Sequence, residues 1–201
     1  MTPATQNGQK GFTLIEVIVA IAVVAILAGI ITPSVIKHLD DSRRARALND
    51  CSTIAAAVAS FYKDLGQLPN LTLTPTNQVV LVGSGNTPTS SAAANDLWIT
   101  ATTAANADLL TYHLAQNRPK NLTTTIYPTT AGAELIWRGP YQGTFPADPW
   151  GNRYAINIGA STNAAYSVCV LSAGPDGIVQ TPFNLGFTAN AGGDDIIFRI
   201  K

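Results

Sequence analysis

Charge is scarce in this chain. Only 12% of its 201 residues are Asp, Glu, Lys or Arg, and 12 basic side chains cancel 12 acidic ones. Affinity for a phosphate backbone needs a concentrated positive field, so nucleic acid is not expected as a partner. The one basic cluster, Arg43-Arg44-Arg46, falls on a helical pattern and reads as a solvated or subunit-contact face. Catalytic signatures are missing as well. There is no Gly-x-Ser-x-Gly, no pair of histidines at ligand spacing and no phosphate-cradling glycine loop with Lys. His38 and His113 lack an obvious Cys, Asp or Glu companion and read as packing or surface residues. The chain is not expected to be an enzyme, and a membrane-anchored periplasmic enzyme is the competing class, motivated only by an unassigned middle region.

What the sequence does have is one long apolar run. A polar leader ends in Lys10-Gly11, and Phe12-Thr13-Leu14-Ile15-Glu16 leads into a nearly unbroken apolar stretch reaching Ile31. At about 1.5 Å per residue, 12–31 extends roughly 30 Å, enough for one pass through a hydrocarbon core. Glu16 is the single carboxylate of that stretch. Placing an ionised acid in a bilayer costs about 2.5–3.5 kcal/mol, which argues for a specific positive partner. Cutting between Gly11 and Phe12 would free an α-amino group a few residues away, so the segment would carry both halves of an ion pair. A secretory signal is cut after its apolar core; here the candidate cut precedes the core, and the hydrophobic helix would be retained. Lys10 stands before the span while Lys37 and the arginines follow it, a poor match to the positive-inside bias.

Gly11-Phe12-Thr13-Leu14-Ile15-Glu16 and the hydrophobic helix after it resemble the type IV prepilin signal, with the resemblance covering 10–65. It implies that a membrane-embedded prepilin peptidase cuts after Gly11 and methylates the new N-terminus at Phe12. Glu16, fifth residue of the mature chain, would help recruit each subunit to a growing filament by meeting the amino group of a neighbour. An N-in, single-pass topology in the inner membrane, with the C-terminal domain outside the cytoplasm, rests on this resemblance.

Helical character is expected to continue past Pro33, which can kink the helix or be tolerated there. Val35, Leu39, Ala45, Leu48, Cys51, Ile54, Ala55, Val58, Tyr62 and Leu65 recur at three- and four-residue spacing, opposite Lys37, Asp40, Asp41, Arg44, Asp50 and Lys63; this is an amphipathic helix with one face to bury. Gly66 and Pro69 mark its end. The expected division is a leader at 1–11, a long helix at 12–66 (transmembrane 12–32, amphipathic 33–66) and a globular head at 67–201. Within the head, 67–136 is a Thr-, Asn-, Ala- and Ser-rich connecting region, with a short strand expected at 79–82, an exposed loop at 84–95 and a short helix at 106–116. The remainder, 137–201, carries the sheet and C-terminal loop. Strands are expected at 154–158 and 166–171, followed by a turn at Ser172-Ala173-Gly174-Pro175-Asp176-Gly177 and a closing Asp194-Asp195-Ile196-Ile197-Phe198.

Pro146, Asp148, Pro149, Trp150, Gly151 and Tyr154, then Gly174, Asp176 and Gly177, then Asp194, Asp195 and Ile196 stand in the order found in the major pseudopilin of type II secretion systems, which this chain resembles over roughly two thirds of its length. The connecting region and the 177–193 loop are both longer than the family usually has. The resemblance implies Ca²⁺ in the C-terminal loop. Asp176, Asp194 and Asp195 would supply carboxylates, and Ala173 and Ile178 backbone carbonyls, which suits a cation that takes six to eight oxygens. The plainer reading is that Asp176 caps a turn and Asp194-Asp195 is a solvated strand start. Cys51 on the helix stripe and Cys169 in a strand leave two readings open, a helix-to-sheet disulfide in an exported domain or two buried thiols.

The expected protein is therefore α+β, a pilin fold with a long N-terminal helix packed on a small antiparallel sheet. Its expected role is structural subunit of a pilus-like filament, foremost a type II secretion pseudopilus. A surface type IV pilus is the alternative. The partners implied are further copies of itself, prepilin peptidase, an inner-membrane assembly platform and minor pilins or pseudopilins, with Ca²⁺ as the one ligand.

Overall fold

A computed structural model of the chain describes residues 11–70, 79–91, 97–99, 107–130 and 134–200. Apart from Gly11, the expected leader lies outside these residues. The chain divides into two compact units, 1–42 and 43–201. Helix α1, Leu14–Leu65, contributes to both.

In the first unit every described side chain is exposed. An 18-residue window of its helix has a mean hydropathy of 3.0 and none of it is buried. A helix apolar all round can be stable only where lipid or other helices cover it. Its first turn is closed by Thr13, whose hydroxyl accepts the Glu16 N–H at 3.3 Å. Glu16 Oε2 accepts the Thr13 N–H and hydroxyl, each at 2.8 Å. This is a capping box, two otherwise orphaned donors satisfied reciprocally. Pro33 sits inside α1 with no N–H to offer the Gly29 carbonyl, and the Thr32 hydroxyl donates to the Ala28 carbonyl at 2.6 Å.

In the second unit the end of α1 buries Ala47, Cys51, Ile54, Ala55, Ala57, Val58, Phe61 and Leu65. Of the stripe read from the sequence, Cys51, Ile54, Ala55, Val58 and Leu65 are buried, whereas Val35, Leu39, Ala45, Leu48 and Tyr62 are exposed and Phe61 takes the core position expected of Tyr62. The helix stops at Gly66, whose φ of +67° only glycine adopts cheaply. The Gly66 N–H closes on the Tyr62 carbonyl at 2.7 Å.

The sheet beneath has the order β3-β1-β4-β5-β7, from β1 (Val80–Val82), β3 (Ala107–Leu109), β4 (Ala155–Ile156), β5 (Cys169–Ser172) and β7 (Ile196–Arg199). β4, β5 and β7 form the antiparallel part. The connecting region adds β1, antiparallel to β4, and β3, parallel to β1. The sheet is mixed, then, because the enlarged connection returns to it twice. The helix expected over 106–116 is divided between β3 and a single turn, α2, Leu110–Leu114, since the chain must pair with β1 before it turns. The strand expected at 79–82 is β1. Of the loop expected at 84–95, the described part holds β2, Thr89–Ser90, parallel to β6, Ile178–Val179.

Register assigns the two faces. Leu81 opposes Ile156, Ile156 opposes Val170, and all three join Ile54, Val58 and Phe61 in one core cluster. The neighbouring row, Val82, Ala155 and Leu171, faces the other way into a second cluster with Trp98, Phe183 and Leu185. Trp98 meets Phe183 edge-on at 5.2 Å and donates its indole N–H to the Thr181 carbonyl at 3.0 Å. The two long insertions thus cover the sheet face that the helix does not.

Phe61 is fully buried and stacks edge-on against Tyr127 at 4.8 Å and Tyr141 at 5.5 Å. Phe61→Ala is expected to cost about 3–5 kcal/mol. Trp98, Trp137 and Trp150 all lie in the second unit, so denaturant titration of the full chain in detergent, followed by tryptophan fluorescence, reads this loss directly.

Candidate functional site

At the N-terminal end Gly11 and Phe12 are exposed, Phe12 by 88%. Glu16 lies on the first turn of α1, where the orphaned N–H groups favour a negative charge. Both of its hydrogen bonds from Thr13 fall on Oε2. The carboxylate is thus exposed on an apolar helix and held by a local hydroxyl and N–H.

The second candidate is the C-terminal loop. Asp176 accepts the Ile178 N–H on Oδ1 at 2.8 Å and the Gln180 amide on Oδ2 at 3.0 Å. Asp195 is buried and accepts the N–H groups of Gln180 and Thr181 on Oδ2 at 2.8 and 2.6 Å. Burial pushes its carboxyl up, against those bonds. Arg44 lies 4.0 Å from Asp194 Oδ2. Gly174 lets the two arms touch, because a Cβ there would stand 2.5 Å from the Asp194 carbonyl oxygen. Ala173 is buried and Ile178 opens β6. The structure therefore brings Asp176, Asp194 and Asp195 into one loop assembly. Among the described residues, however, no three His, Cys, Asp or Glu side chains converge as a ready metal cage. What fits a cation is the donor chemistry, all oxygen, together with two buried oxygens lacking partners, Asp194 Oδ1 and Asp195 Oδ1.

The Pro146–Tyr154 passage is a scaffold for both arms of the sheet. Asp148 Oδ1 accepts the N–H groups of Trp150 and Asn152 at 3.0 and 2.8 Å, and Oδ2 the Ser172 hydroxyl at 2.6 Å. Tyr154 then donates to Asp50 of α1 at 2.9 Å. One carboxylate ties the turn to β5, and the next tyrosine ties it to the helix.

Two family models match the chain, the prokaryotic N-terminal methylation motif at 6–32 and type II secretion system protein G at 99–183. Type II secretion system core protein G of Escherichia coli strain K12 is 26% identical over 175 residues, 86% of each chain. Its namesake in Pectobacterium carotovorum subsp. carotovorum is 22% identical over 178 residues, 89% of this chain and 83% of the relative. The chain thus carries a prokaryotic methylation motif and a protein G domain, and over most of its length it is similar to type II secretion system core protein G. Fimbrial protein EcpC of Eikenella corrodens is 39% identical over 61 residues, covering 30% of this chain and 40% of that one. No solved structure matches. The helix-on-sheet architecture is that of a pilin-like α+β fold.

In the head the cysteines stay apart. Cys51 belongs to the cluster under the helix and Cys169 to the cluster on the far face, because β5 alternates and it is Val168 and Val170 that face α1. Both are buried free thiols. The disulfide reading is corrected accordingly, since a bond would have to pass through the sheet. Burial pushes both thiols up, Cys169 to about 12, which makes them poor nucleophiles.

His113 has the partner that the sequence reading did not find. Its Nε2 lies 3.0 Å from Asp108 Oδ2 and its Nδ1 2.6 Å from the Tyr127 hydroxyl, all three side chains being buried. Asp108 also accepts the Lys120 N–H at 2.5 Å and its neighbour Leu109's at 2.8 Å. The five-residue spacing gave no helical signal, because Asp108 is on a strand. Burial lowers the His113 pKa, outweighing the pull of Asp108. The neutral ring donates from Nε2 to Asp108 and accepts the Tyr127 O–H on Nδ1. Burial also works against the Asp108 anion, yet the bonds from His113, Lys120 and Leu109 hold its carboxyl below the usual range. A histidine with a folded pKa below its unfolded value of about 6.5 contributes stability that is complete above that pH and is lost as pH falls toward the folded value. The melting temperature of the head is therefore expected to drop between about pH 7.5 and about pH 5.5, and His113→Gln to flatten that slope. Fluorescence melts at both pH values check this, and equal slopes in the two proteins would refute it.

Proposed function

We propose that the chain is the structural subunit of a type II secretion pseudopilus, assembled after prepilin peptidase cuts between Gly11 and Phe12 and methylates Phe12. The observation that carries this reading is the union, in one chain, of a methylation motif and a protein G domain with a helix whose apolar half is wholly exposed. That surface needs the bilayer before assembly and sister helices afterwards. The subunit waits as a single-pass inner-membrane protein, its head outside the cytoplasm. It then joins copies of itself and minor pseudopilins on an inner-membrane platform. Glu16 gives the register by meeting the free amino group of an adjacent Phe12. The protein is the object of catalysis by the peptidase and not itself a catalyst.

A surface type IV pilus is the second reading, favoured by the fimbrial relative. Cells that overproduce the chain alongside a secretion apparatus, viewed by electron microscopy, are expected to show filaments that vanish with Glu16→Ala and with a Gly11 substitution that blocks the cut. Filaments persisting in the uncut or Glu16→Ala chain would overturn the assembly scheme.

Ca²⁺ is proposed to sit in the C-terminal loop on Asp194 and Asp195, with Asp176 and the carbonyls of Ala173 and Ile178 as further ligands. It would neutralise the buried carboxylates and tie the loop's two arms together. EGTA is expected to lower the head's melting temperature; an unchanged melt would count against the metal.

A further inference from the structure

One side chain in the lengthened loop already joins its two arms. Gln180 Nε2 donates to Asp176 Oδ2 at 3.0 Å, and its Oε1 accepts the Asp194 N–H at 3.0 Å. Its own backbone N–H donates to Asp195 Oδ2 at 2.8 Å, so a single residue touches all three aspartates of the loop. The backbone opposite is shaped for it. A Cβ on Gly193 would lie 1.2 Å from Gln180 Oε1, and one on Gly192 would lie 2.3 Å from the Gln180 carbonyl oxygen. Gly193 also has a φ of +51°, so any other residue would be strained and would collide with the amide. The Gly192 N–H donates to the Thr181 hydroxyl at 3.0 Å, holding the same two segments together beside it.

We propose that Gln180 is a side-chain latch that closes the C-terminal loop without a cation, cross-linking Asp176 to the 192–195 segment. An amide suits the task because it offers a donor and an acceptor at once. Asp176 presents an oxygen, whereas Asp194 presents an N–H. A divalent cation accepts only the first of these. For Ca²⁺ to draw both arms to itself, the amide must withdraw and the Asp194 N–H must find another acceptor. Asp194 Oδ1 and Asp195 Oδ1, buried and without partners, are the groups left for the ion. The loop thus has two closed forms, amide-latched and cation-held, and the ion's effect is reduced by the two bonds it displaces. The latch stands on its own contacts; only the competition rests on the proposed calcium reading.

The test uses the full chain in detergent and compares wild type with Gln180→Met, which keeps the length of the side chain and removes both hydrogen bonds. In EGTA the variant is expected to melt lower by about 4 °C. A gap that narrows in millimolar CaCl₂ supports the latch and the calcium site together. A gap of the same size in EGTA and in calcium supports the latch and removes the metal. Equal melting in EGTA overturns the latch. Hydrogen exchange gives an independent reading on the wild-type chain, in which the Asp194 amide is expected to be protected in EGTA. Fast exchange there would overturn the proposal even if Gln180→Met failed to fold.

Discussion

A helix that must bury Cys51, Ile54, Val58 and Phe61 needs an apolar surface of matching width, and the row Leu81–Ile156–Val170 provides it. The rest of the head follows from that contact. Once one face of β4 and β5 is given to α1, strand alternation turns Ala155, Cys169 and Leu171 outward. A sheet apolar on both faces must be covered on both. The connecting region and the 177–193 loop provide the second cover, with Trp98, Phe183 and Leu185 as its apolar weight. Both segments therefore have a packing role.

Charge is used sparingly, and the buried acids are held. Asp148, Asp108 and Asp195 are buried, and each accepts at least two hydrogen bonds from N–H or hydroxyl groups. Buried carboxylates are costly unless so surrounded. Each joins separate elements: Asp148 the turn to β5, Asp108 strand β3 to the single-turn helix, and Asp195 the start of β7 to the segment after β6. At the helix, Asp50 and Asp64 accept the hydroxyls of Tyr154 and Tyr141 at 2.9 and 3.0 Å. With 12% charged residues, the chain places its acids as fasteners.

Much of this was legible in the sequence, for reasons that differ by element. The apolar stripe and Gly66 fix the end of α1 because helix periodicity and a positive-φ cap are local properties. The β4–β5 pairing and the β7 closure were legible through turn residues. The β1–β3 parallel pair was not, because a three-residue apolar run does not say what it will pair with. Nor could the sequence say which parity of Val168-Cys169-Val170-Leu171 faces the helix, since that run is apolar on both sides. The cysteine pairing was left open for that reason. Gln180 was invisible because its function depends on Gly192 and Gly193, twelve and thirteen positions away. The Thr13–Glu16 box was readable, Thr-x-x-Glu being the spacing of that cap, but the prepilin resemblance drew the reading toward partners outside the chain.

That box bears on the energetics of the proposed assembly. In that scheme a subunit in the bilayer would not carry a bare acid, because Thr13 already bonds it. Meeting a sister's terminus would then trade one stabilised arrangement for another, and the gain at this carboxylate would be the difference between a hydroxyl and an ammonium partner.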